Sequence, residues 1–387
     1  MKKVFILFLL ITILGISSCK LVDDNSDLSL NDQTISHETK FGGIYIEITI
    51  EDFNNLGFSF GDSLDISFSN GYKLLDLPYY NGYYTDTGKP LLVGYPGYPY
   101  IRAGINNGAD LFELAGVSET DTANITLNTK AKYKDVQDAL DIHYTDIQGD
   151  LPDEVFGNYR VVNVGALKTD ILYRSASPVD NQHNRAGVVD KLINNKVNCV
   201  INLSDNDQEL VNHINKDDFN SPYFLSLYND HKVIALSMNM NFKTGVEENI
   251  PRLFMDYLET PFTDKLILGM RFIINHEGPY LVHCVEGKDR TGFVCMVLEA
   301  LAGASYEEII NDYMITYDNY YGITKDKEAS KYNIIKEKNI EEMLRTIIND
   351  ESVDIKTADY NYYCEKYLIE KGLSSDEITL LKARLVK

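Results

Sequence analysis

One short stretch of the chain places a cysteine and an arginine at a spacing that suits phosphate chemistry. Five residues separate Cys284 from Arg290, and the stretch runs from His283 to Gly292. The apolar residues 280–282 before it predict a strand, and the apolar run after it predicts a helix. A loop that enters a helix directs successive backbone N–H groups into one concavity, which favours an anion. The spacing therefore predicts a phosphate-binding loop.

The residue types in this loop predict nucleophilic attack on phosphorus. The N–H groups and the helix dipole favour a thiolate at Cys284, which would form a cysteinyl-phosphate intermediate. The planar guanidinium of Arg290 would bind two phosphate oxygens and stabilise the transition state. Thr291 would donate its hydroxyl to the departing sulfur, while His283 and Gly292 would support the loop. This chemistry needs no metal ion or cofactor. The predicted phosphate-binding positions are Val285, Glu286, Gly287, Lys288, Asp289 and Arg290.

The leaving oxygen also requires a proton, because an alkoxide or phenoxide leaves poorly without one. Residues 235–242, upstream of the loop, contain no aspartate. The first carboxylates after that stretch are those of Glu247, Glu248 and Asp256, whereas Asp289 lies within the loop itself. The residues alone leave these carboxylates open as candidates for the general acid. The remaining loop carboxylate, Glu286, is expected to face solvent.

The stretch His-Cys-Val-Glu-Gly-Lys-Asp-Arg-Thr-Gly resembles the phosphate loop of the atypical bacterial tyrosine and dual-specificity phosphatases, some of which act on lipids. Three further segments are similar to segments of that family: Gly-Asn-Tyr-Arg at 157–160, Leu-Tyr-Arg-Ser-Ala-Ser-Pro at 172–178 and Ile-Ile-Asn-Asp-Tyr-Met at 309–314. Two polar positions differ. The aspartate that follows the first segment in the family is Val161 here, and an Asp-Leu-Arg sequence appears as Asn-Leu-Ser at 202–204.

The resemblance implies roles for four residues of the loop. It implies that Cys284 is the nucleophile, that Arg290 binds phosphate and that Asp289 is the general acid. It also implies that Lys288 helps to admit a phosphate and accompanies activity on phosphoinositides as well as on phosphotyrosine. The predicted fold of residues 154–387 is an α/β cysteine-phosphatase domain, with a central, mostly parallel sheet flanked by helices.

A different pattern precedes this domain. Residues 39–130 alternate apolar and polar positions between Gly and Pro turns, which predicts a small all-β, barrel-like accessory domain. The Gly61-Asp62 pair and the Gly/Asn turn at 104–109 resemble the C-terminal β-barrel of the S-adenosylmethionine hydroxide adenosyltransferases. That resemblance implies the fold and no activity. Residues 131–153 are predicted to be a charged connector.

The N-terminus predicts export. Lys2 and Lys3 precede an apolar run at 4–16, which is too short for a comfortable membrane span. The run ends in Ile-Ser-Ser-Cys, which resembles a bacterial lipobox, so residues 1–19 are predicted to be a lipoprotein signal peptide with Cys19 as the lipidated residue. Residues 20–38 are then predicted to be a flexible tether. The protein would lie outside the cytoplasm, held at the bacterial membrane by its lipid alone.

Composition narrows the possible partners. The 387 residues include 36 Lys and Arg against 58 Asp and Glu, giving a formal net charge of −22. A nucleic-acid backbone or an anionic lipid surface requires a basic face, so neither is an expected partner. The cysteines other than Cys19 are widely spaced and predict neither a disulfide framework nor a metal site.

Two classes of function fit these observations. The first is hydrolysis of phosphate monoesters, on phosphotyrosine or with dual specificity, with phosphoinositides or inositol phosphates as alternative substrates. The second is a non-catalytic adaptor, in which the loop binds a phosphorylated ligand without turnover. Cys284, Asp289, Arg290 and Thr291 occur together, which favours the enzyme, and the acidic composition disfavours polyanionic substrates.

Overall fold

The computed structural model describes residues 28–86, 88–106, 108–238 and 262–387. Within these ranges, seven strands close a barrel in the order β1-β2-β6-β5-β4-β3-β7, and the predicted barrel-like domain is confirmed in this respect. The neighbouring strands are antiparallel except β4 and β5. The strands are β1 (Ser29–Glu38), β2 (Gly43–Ile46), β3 (Ser63–Phe68), β4 (Lys73–Tyr80), β5 (Pro90–Val93), β6 (Ile101–Ile105) and β7 (Thr122–Thr129), and two short helices are α1 (Ile50–Asn55) and α2 (Leu111–Ala115).

The barrel follows from alternation along its strands. In β3, Leu64, Ile66 and Phe68 are buried at every second position. Side chains of a strand alternate between its two faces, so this spacing places all three side chains in the barrel interior. The same interior receives Ile44 and Ile46 from β2.

The predicted tether at 20–38 is wrong where the structure describes it. Residues Ser29–Glu38 form β1, which pairs with β2 on one side and β7 on the other and thereby closes the barrel. The polar sequence of this strand concealed it, because Ile35 is its one fully buried apolar side chain. Its last residue, Glu38, is also buried and pairs with Arg102 at 3.2 Å. The barrel therefore begins at residue 29 rather than 39. The predicted signal peptide and Cys19 lie outside the described residues.

The second part of the chain is an α/β structure. Its sheet has the order β11-β10-β12-β9-β8, in which only β8 runs antiparallel to its neighbour. The strands are β8 (Arg160–Val161), β9 (Leu172–Ser175), β10 (Cys199–Asn202), β11 (Val233–Ala235) and β12 (Tyr280–His283). Helices lie on both faces of the sheet, so β9, β10 and β12 are buried along their whole length.

The helices of this part begin with α3 (Lys134–Leu140) and α4 (Asp153–Phe156), which precede the first strand. The others are α5 (Ala186–Ile193), α6 (Asp207–Ile214), α7 (Pro222–Asn229), α8 (Phe262–Asn275), α9 (Asp289–Leu301), α10 (Tyr306–Tyr321), α11 (Ala329–Ile335), α12 (Glu341–Ile348), α13 (Tyr360–Glu370) and α14 (Ser375–Leu385), with a π-helical turn at Lys336–Ile340. In the ranges that the structure covers, none of the helices has the length and apolar character needed to cross a membrane.

The connector joins the barrel to the α/β part through packing. Helix α3 lies against α11, and Leu140 at its end packs on the larger apolar core. A barrel loop adds an ion pair, in which Lys338 Nζ lies 2.6 Å from Asp86 Oδ1. The predicted connector is thus a docked segment that contains a helix.

The corrected position of β1 gives a direct test. Ile35→Asp places a carboxylate in the barrel interior and is expected to lower the free energy of unfolding by about 3 kcal/mol or more. Thr34→Asp is the matched control, because Thr34 is exposed on the opposite face of the same strand. Urea denaturation followed by tyrosine fluorescence measures both. Equal, small effects of the two variants would show that residues 29–38 do not belong to the barrel.

Candidate active site

The predicted phosphate loop leaves the sheet at the carboxyl end of β12 and enters α9 at Asp289. Strand β12 lies between β10 and β9, so the ends of both neighbours enclose the loop. The Leu203 N–H donates to the His283 carbonyl at 2.9 Å, which ties the strand end to the segment after β10. Cys284 follows directly and is buried. The cysteine therefore lies at the base of the loop, where the sequence predicted it.

The first carbonyl groups of the loop are bound from outside it. His283 Nδ1 lies 3.1 Å from the Cys284 carbonyl oxygen and donates to it. The N–H of Ser177, in the segment after β9, donates to the Val285 carbonyl at 3.0 Å. Both carbonyl oxygens therefore point out of the loop, toward the surrounding protein.

The central carbonyl groups are held by three side chains. Asn158 Nδ2 lies 3.2 Å from the carbonyl oxygens of both Glu286 and Gly287. The Tyr320 hydroxyl donates to the Glu286 carbonyl at 2.6 Å, and Arg174 Nη2 donates to the Gly287 carbonyl at 3.0 Å. Asn158 adopts a left-handed backbone conformation, with φ of +46°, and it is fully buried beside the loop.

The bound carbonyl groups determine where the N–H groups point. The Lys288 carbonyl accepts from the Gly292 N–H at 2.8 Å, so every carbonyl of residues 284–288 has a donor. In a trans peptide, the C=O of one residue and the N–H of the next point in opposite directions. Among the residues that the structure describes, the N–H groups of residues 285–290 have no acceptor. They therefore face the inside of the loop and, with the start of α9, form a site for an anion.

A buried ion cluster supports the loop from behind. Asp312 on α10 accepts from Arg174 Nη1 at 2.6 Å and from Arg160 Nε at 2.9 Å. Burial alone would raise the pKa of Asp312, but the two guanidinium groups outweigh it and hold that pKa below its usual value. Nearby, burial and the charge of Asp312 raise the pKa of Glu299 well above its usual value. Asp312 fixes Arg174, and Arg174 holds the loop.

Gly287 is the position at which the loop lies closest to the sheet. Its φ is +68°, and a Cβ atom there would lie 2.2 Å from the Ser175 carbonyl oxygen at the end of β9. A side chain therefore cannot fit unless the loop moves away from the sheet. Gly292 is similarly close to Tyr313, whose ring would lie 2.5 Å from a Cβ atom. Both positions require glycine because a Cβ atom would clash with a neighbour. Gly287 also requires it because its φ is positive.

The other predicted residues differ in their surroundings. His283 is fully buried, and burial lowers its pKa to about 4, so it supports the loop as a neutral ring. Arg290 Nη1 lies 3.3 Å from the Met238 carbonyl oxygen. The hydroxyl of Thr291 is buried and has no hydrogen-bond partner within the described ranges, so its donation to the sulfur stays a prediction.

The charged side chains of the loop form a group of their own. The Lys288 ammonium lies 3.2 Å from Glu286 Oε2 and 3.8 Å from Asp289 Oδ2. The Asp289 carboxylate is 46 % exposed and thus accessible to a ligand, and its role as general acid stays a prediction. The alternative acids Glu247, Glu248 and Asp256 lie outside the described residues. In the ranges that are described, no three His, Cys, Asp or Glu side chains are grouped as a metal site.

Sequence reasoning missed two tyrosines at this site. Tyr320 binds a loop carbonyl from the end of α10, and Tyr144 reaches the loop from the connector, where its hydroxyl donates to Glu286 Oε1 at 2.7 Å. Glu286 was expected to face solvent, but its side chain is partly buried, because Tyr144 and Lys288 contact its two carboxylate oxygens. No local signal marks Tyr144, which is 142 positions away from Glu286 in the chain.

The fold and the loop define a class of α/β proteins with a Cys-x5-Arg loop between a buried strand and a helix. Residues 156–387 match the model of the tyrosine phosphatase family. This match covers more than half of the chain, which therefore belongs to that family.

Two individual proteins show a more limited similarity. A tyrosine-protein phosphatase of Nostoc commune is 38% identical over 58 residues, which are 15% of this chain. The chain spans only about a fifth of the length of that relative, since the aligned part is 20% of it. The core catalytic domain of the PP-IP phosphatase SIW14 from S. cerevisiae, solved with citrate, is 18% identical, with a TM-score of 0.23 over 49% of this chain and 89% of that one.

The contact at Gly287 predicts a loss of anion binding on substitution. Gly287→Ala is expected to weaken inorganic phosphate binding by about tenfold or more, because the new methyl group displaces the loop from Ser175. Gly303→Ala is the matched control, since Gly303 has a φ of +72° and open space around it. It carries the same backbone strain of about 1–2 kcal/mol without the contact. Calorimetric titration with phosphate measures both variants, and equal weakening in the two would refute the argument.

The buried state of His283 predicts how stability depends on pH. In the unfolded chain this imidazole takes up a proton below about pH 6.5, whereas in the folded protein it does so only near pH 4. Between these two values, His283 binds fewer protons in the folded state than in the unfolded chain. The stability that neutral His283 contributes is therefore complete above pH 6.5 and is lost as the pH falls toward 4. The loss is at most about 3 kcal/mol.

Urea denaturation at pH 7, 5.5 and 4.5 measures this effect. His283→Asn keeps a donor for the Cys284 carbonyl and is expected to show a shallower fall in the free energy of unfolding. His143→Asn is the control, because the His143 side chain is 88 % exposed and should leave the fall unchanged. Parallel curves for the wild type and His283→Asn would contradict the prediction.

Proposed function

We propose that the protein is a cysteine-dependent phosphomonoesterase that acts on phosphotyrosine and, with dual specificity, on related monoesters. The observation that carries this proposal is the loop that begins at Cys284. The carbonyl groups of residues 284–288 are bound outward, and the N–H groups of residues 285–290 have no acceptor within the described part of the chain. Membership of the tyrosine phosphatase family supports it.

In the first step, the Cys284 thiolate attacks the phosphorus of the bound monoester. A sulfur–phosphorus bond forms, the bond from phosphorus to the ester oxygen breaks, and the leaving oxygen takes a proton. We assign this proton to Asp289, whose carboxyl group is exposed at the first position of α9. The N–H groups of the loop and the guanidinium of Arg290 stabilise the charge on the three other phosphate oxygens.

In the second step, a water molecule attacks the cysteinyl phosphate. Asp289, now ionised, accepts the proton of the water, and the sulfur leaves as a thiolate while inorganic phosphate is released. Thr291 is proposed to donate its hydroxyl to the departing sulfur. Its buried hydroxyl, which lacks a partner in the described part of the chain, supports this assignment.

Two other functions use the same loop. Phosphoinositides or inositol phosphates are alternative substrates, as the resemblance of the Gly-Lys-Asp-Arg sequence implies. A non-catalytic adaptor would bind a phosphorylated ligand on the N–H groups without turnover. The presence of a nucleophile, an acid and an arginine on one loop favours the enzyme.

We also propose that the protein is a lipoprotein outside the cytoplasm, anchored through Cys19. The lipobox-like end of the apolar run supports this. Leu28 already packs on the barrel and accepts from the Leu127 N–H, which shortens the proposed tether to residues 20–27. The closed barrel is consistent with the likeness to the S-adenosylmethionine hydroxide adenosyltransferase barrel, for which we propose shared fold alone.

Phosphate release from a phosphotyrosine peptide, a phosphoserine peptide and a phosphoinositide tests the proposed function. Cys284→Ser is expected to lower turnover about a thousandfold or more. Asp289→Asn is expected to lower kcat by about 10²–10⁴ on the phosphotyrosine peptide and by less on p-nitrophenyl phosphate, whose leaving group needs no proton. Asp318→Asn, an exposed aspartate on α10, is the matched control.

The outcomes separate the alternatives. Turnover that survives in Cys284→Ser would rule out the cysteine mechanism. Phosphate binding without turnover on any of the three substrates would favour the adaptor. An equal effect of Asp289→Asn on both leaving groups would assign the acid to another carboxylate.

A further inference from the structure

The carboxylate of Glu286 lies within the loop that is proposed to bind an anion. It follows the nucleophile by two positions, and a negative charge there repels a bound phosphate. Both of its oxygens are nevertheless engaged, because Tyr144 donates to Oε1 at 2.7 Å and the Lys288 ammonium lies 3.2 Å from Oε2. The side chain is 28 % exposed, so its charge is only partly screened by solvent.

Tyr144 is itself fixed from several directions. Its ring stacks on that of Tyr320, with centroids 4.8 Å apart and an angle of 23° between the planes. The guanidinium of Arg185 lies 4.8 Å from the centre of the Tyr144 ring. Two residues further on, Asp146 pairs with Arg185 and His183, both at 3.0 Å. The connector thus places the Tyr144 hydroxyl at one position beside the loop.

The ammonium group of Lys288 is already paired within the protein. Its ammonium contacts the carboxylates of Glu286 and Asp289 and lies 3.4 Å from the Tyr321 hydroxyl. Its side chain is only 18 % exposed. Burial alone would lower the pKa of Lys288, but the negative groups around it outweigh this and raise that pKa, so the ammonium stays charged and paired. Lys288 therefore faces two carboxylates on this side of the loop.

We propose that Glu286, held in place by Tyr144, determines the specificity of the site by neutralising Lys288. With Lys288 paired, Arg290 and the loop N–H groups bind one phosphate group, and Lys288 is not free to bind a second. A substrate that carries further phosphates also meets the charge of Glu286. Discrimination arises as much from such repulsion as from attraction, so the site selects monophosphate esters. This inference rests on the proposed function of the loop as a phosphate site.

Tyr144 acts through Glu286 and is therefore a positioning residue. Without its hydroxyl, one oxygen of the Glu286 carboxylate loses its donor, while the ion pair with Lys288 persists. Tyr144→Phe is accordingly expected to change specificity in the same direction as removal of the Glu286 charge, and by less.

Binding measurements in the Cys284→Ser background test this inference without requiring turnover. Calorimetry gives dissociation constants for O-phosphotyrosine and for inositol 1,4-bisphosphate in Cys284→Ser and in the double variant with Glu286→Gln. The amide keeps an acceptor for Tyr144 and removes the charge. The preference for phosphotyrosine over the bisphosphate is expected to fall about five- to tenfold in the double variant. With the intact cysteine, the same ratio is expected to change through KM rather than kcat.

Glu337→Gln is the matched control, because it removes one negative charge from an exposed position outside the loop, in the π-helical turn. It should leave the preference unchanged, which separates a local effect from one of net charge. An unchanged preference in Glu286→Gln, or equal tightening of both ligands, would overturn the inference. If turnover is absent in the wild type but the binding preference shifts as expected, the proposed catalysis fails and the specificity role of Glu286 stands.

Discussion

The outward binding of the loop carbonyls is the constraint on which the rest of the structure depends. A loop of five peptide groups presents either its carbonyl oxygens or its N–H groups to a bound anion. Only the N–H groups attract an anion. The backbone carbonyl oxygens of Glu286 and Gly287 therefore accept hydrogen bonds from the side chains of Asn158, Arg174 and Tyr320. An anion that binds here meets donors already in place, so little free energy is lost in ordering them.

The sheet and the segments around it supply these donors from distant parts of the chain. Because β9, β10 and β12 are parallel and adjacent, their carboxyl ends meet at one edge. Arg174 and Ser177 arrive at this edge with β9, and Asp312 on α10 closes the group by holding Arg174. A buried guanidinium between a carboxylate and backbone carbonyls is stable only with all its partners, so this cluster fixes the strand, the helix and the loop together.

The sequence was informative where the chemistry is local. The loop could be predicted because Cys284, Gly287 and Arg290 lie within seven consecutive residues between a strand and a helix, and the family membership agrees with that reading. The strand Ser29–Glu38 could not be predicted, because most of its side chains are polar and its pairing partners lie elsewhere in the chain. The partner of Glu286 was equally hidden, since a contact across 142 positions leaves no periodic pattern.

The connector shows why the two parts of the chain are not independent. Helix α3 rests on α11, and the chain then runs to the loop, where Tyr144 meets the carboxylate of Glu286. The Lys338–Asp86 pair joins a barrel loop to the same side of the α/β part. A segment that serves only as a spacer would need none of these contacts. From the connector, Tyr144 holds the carboxylate of Glu286 beside Lys288, and in our proposal this charge limits the number of phosphates that a ligand of the loop can carry.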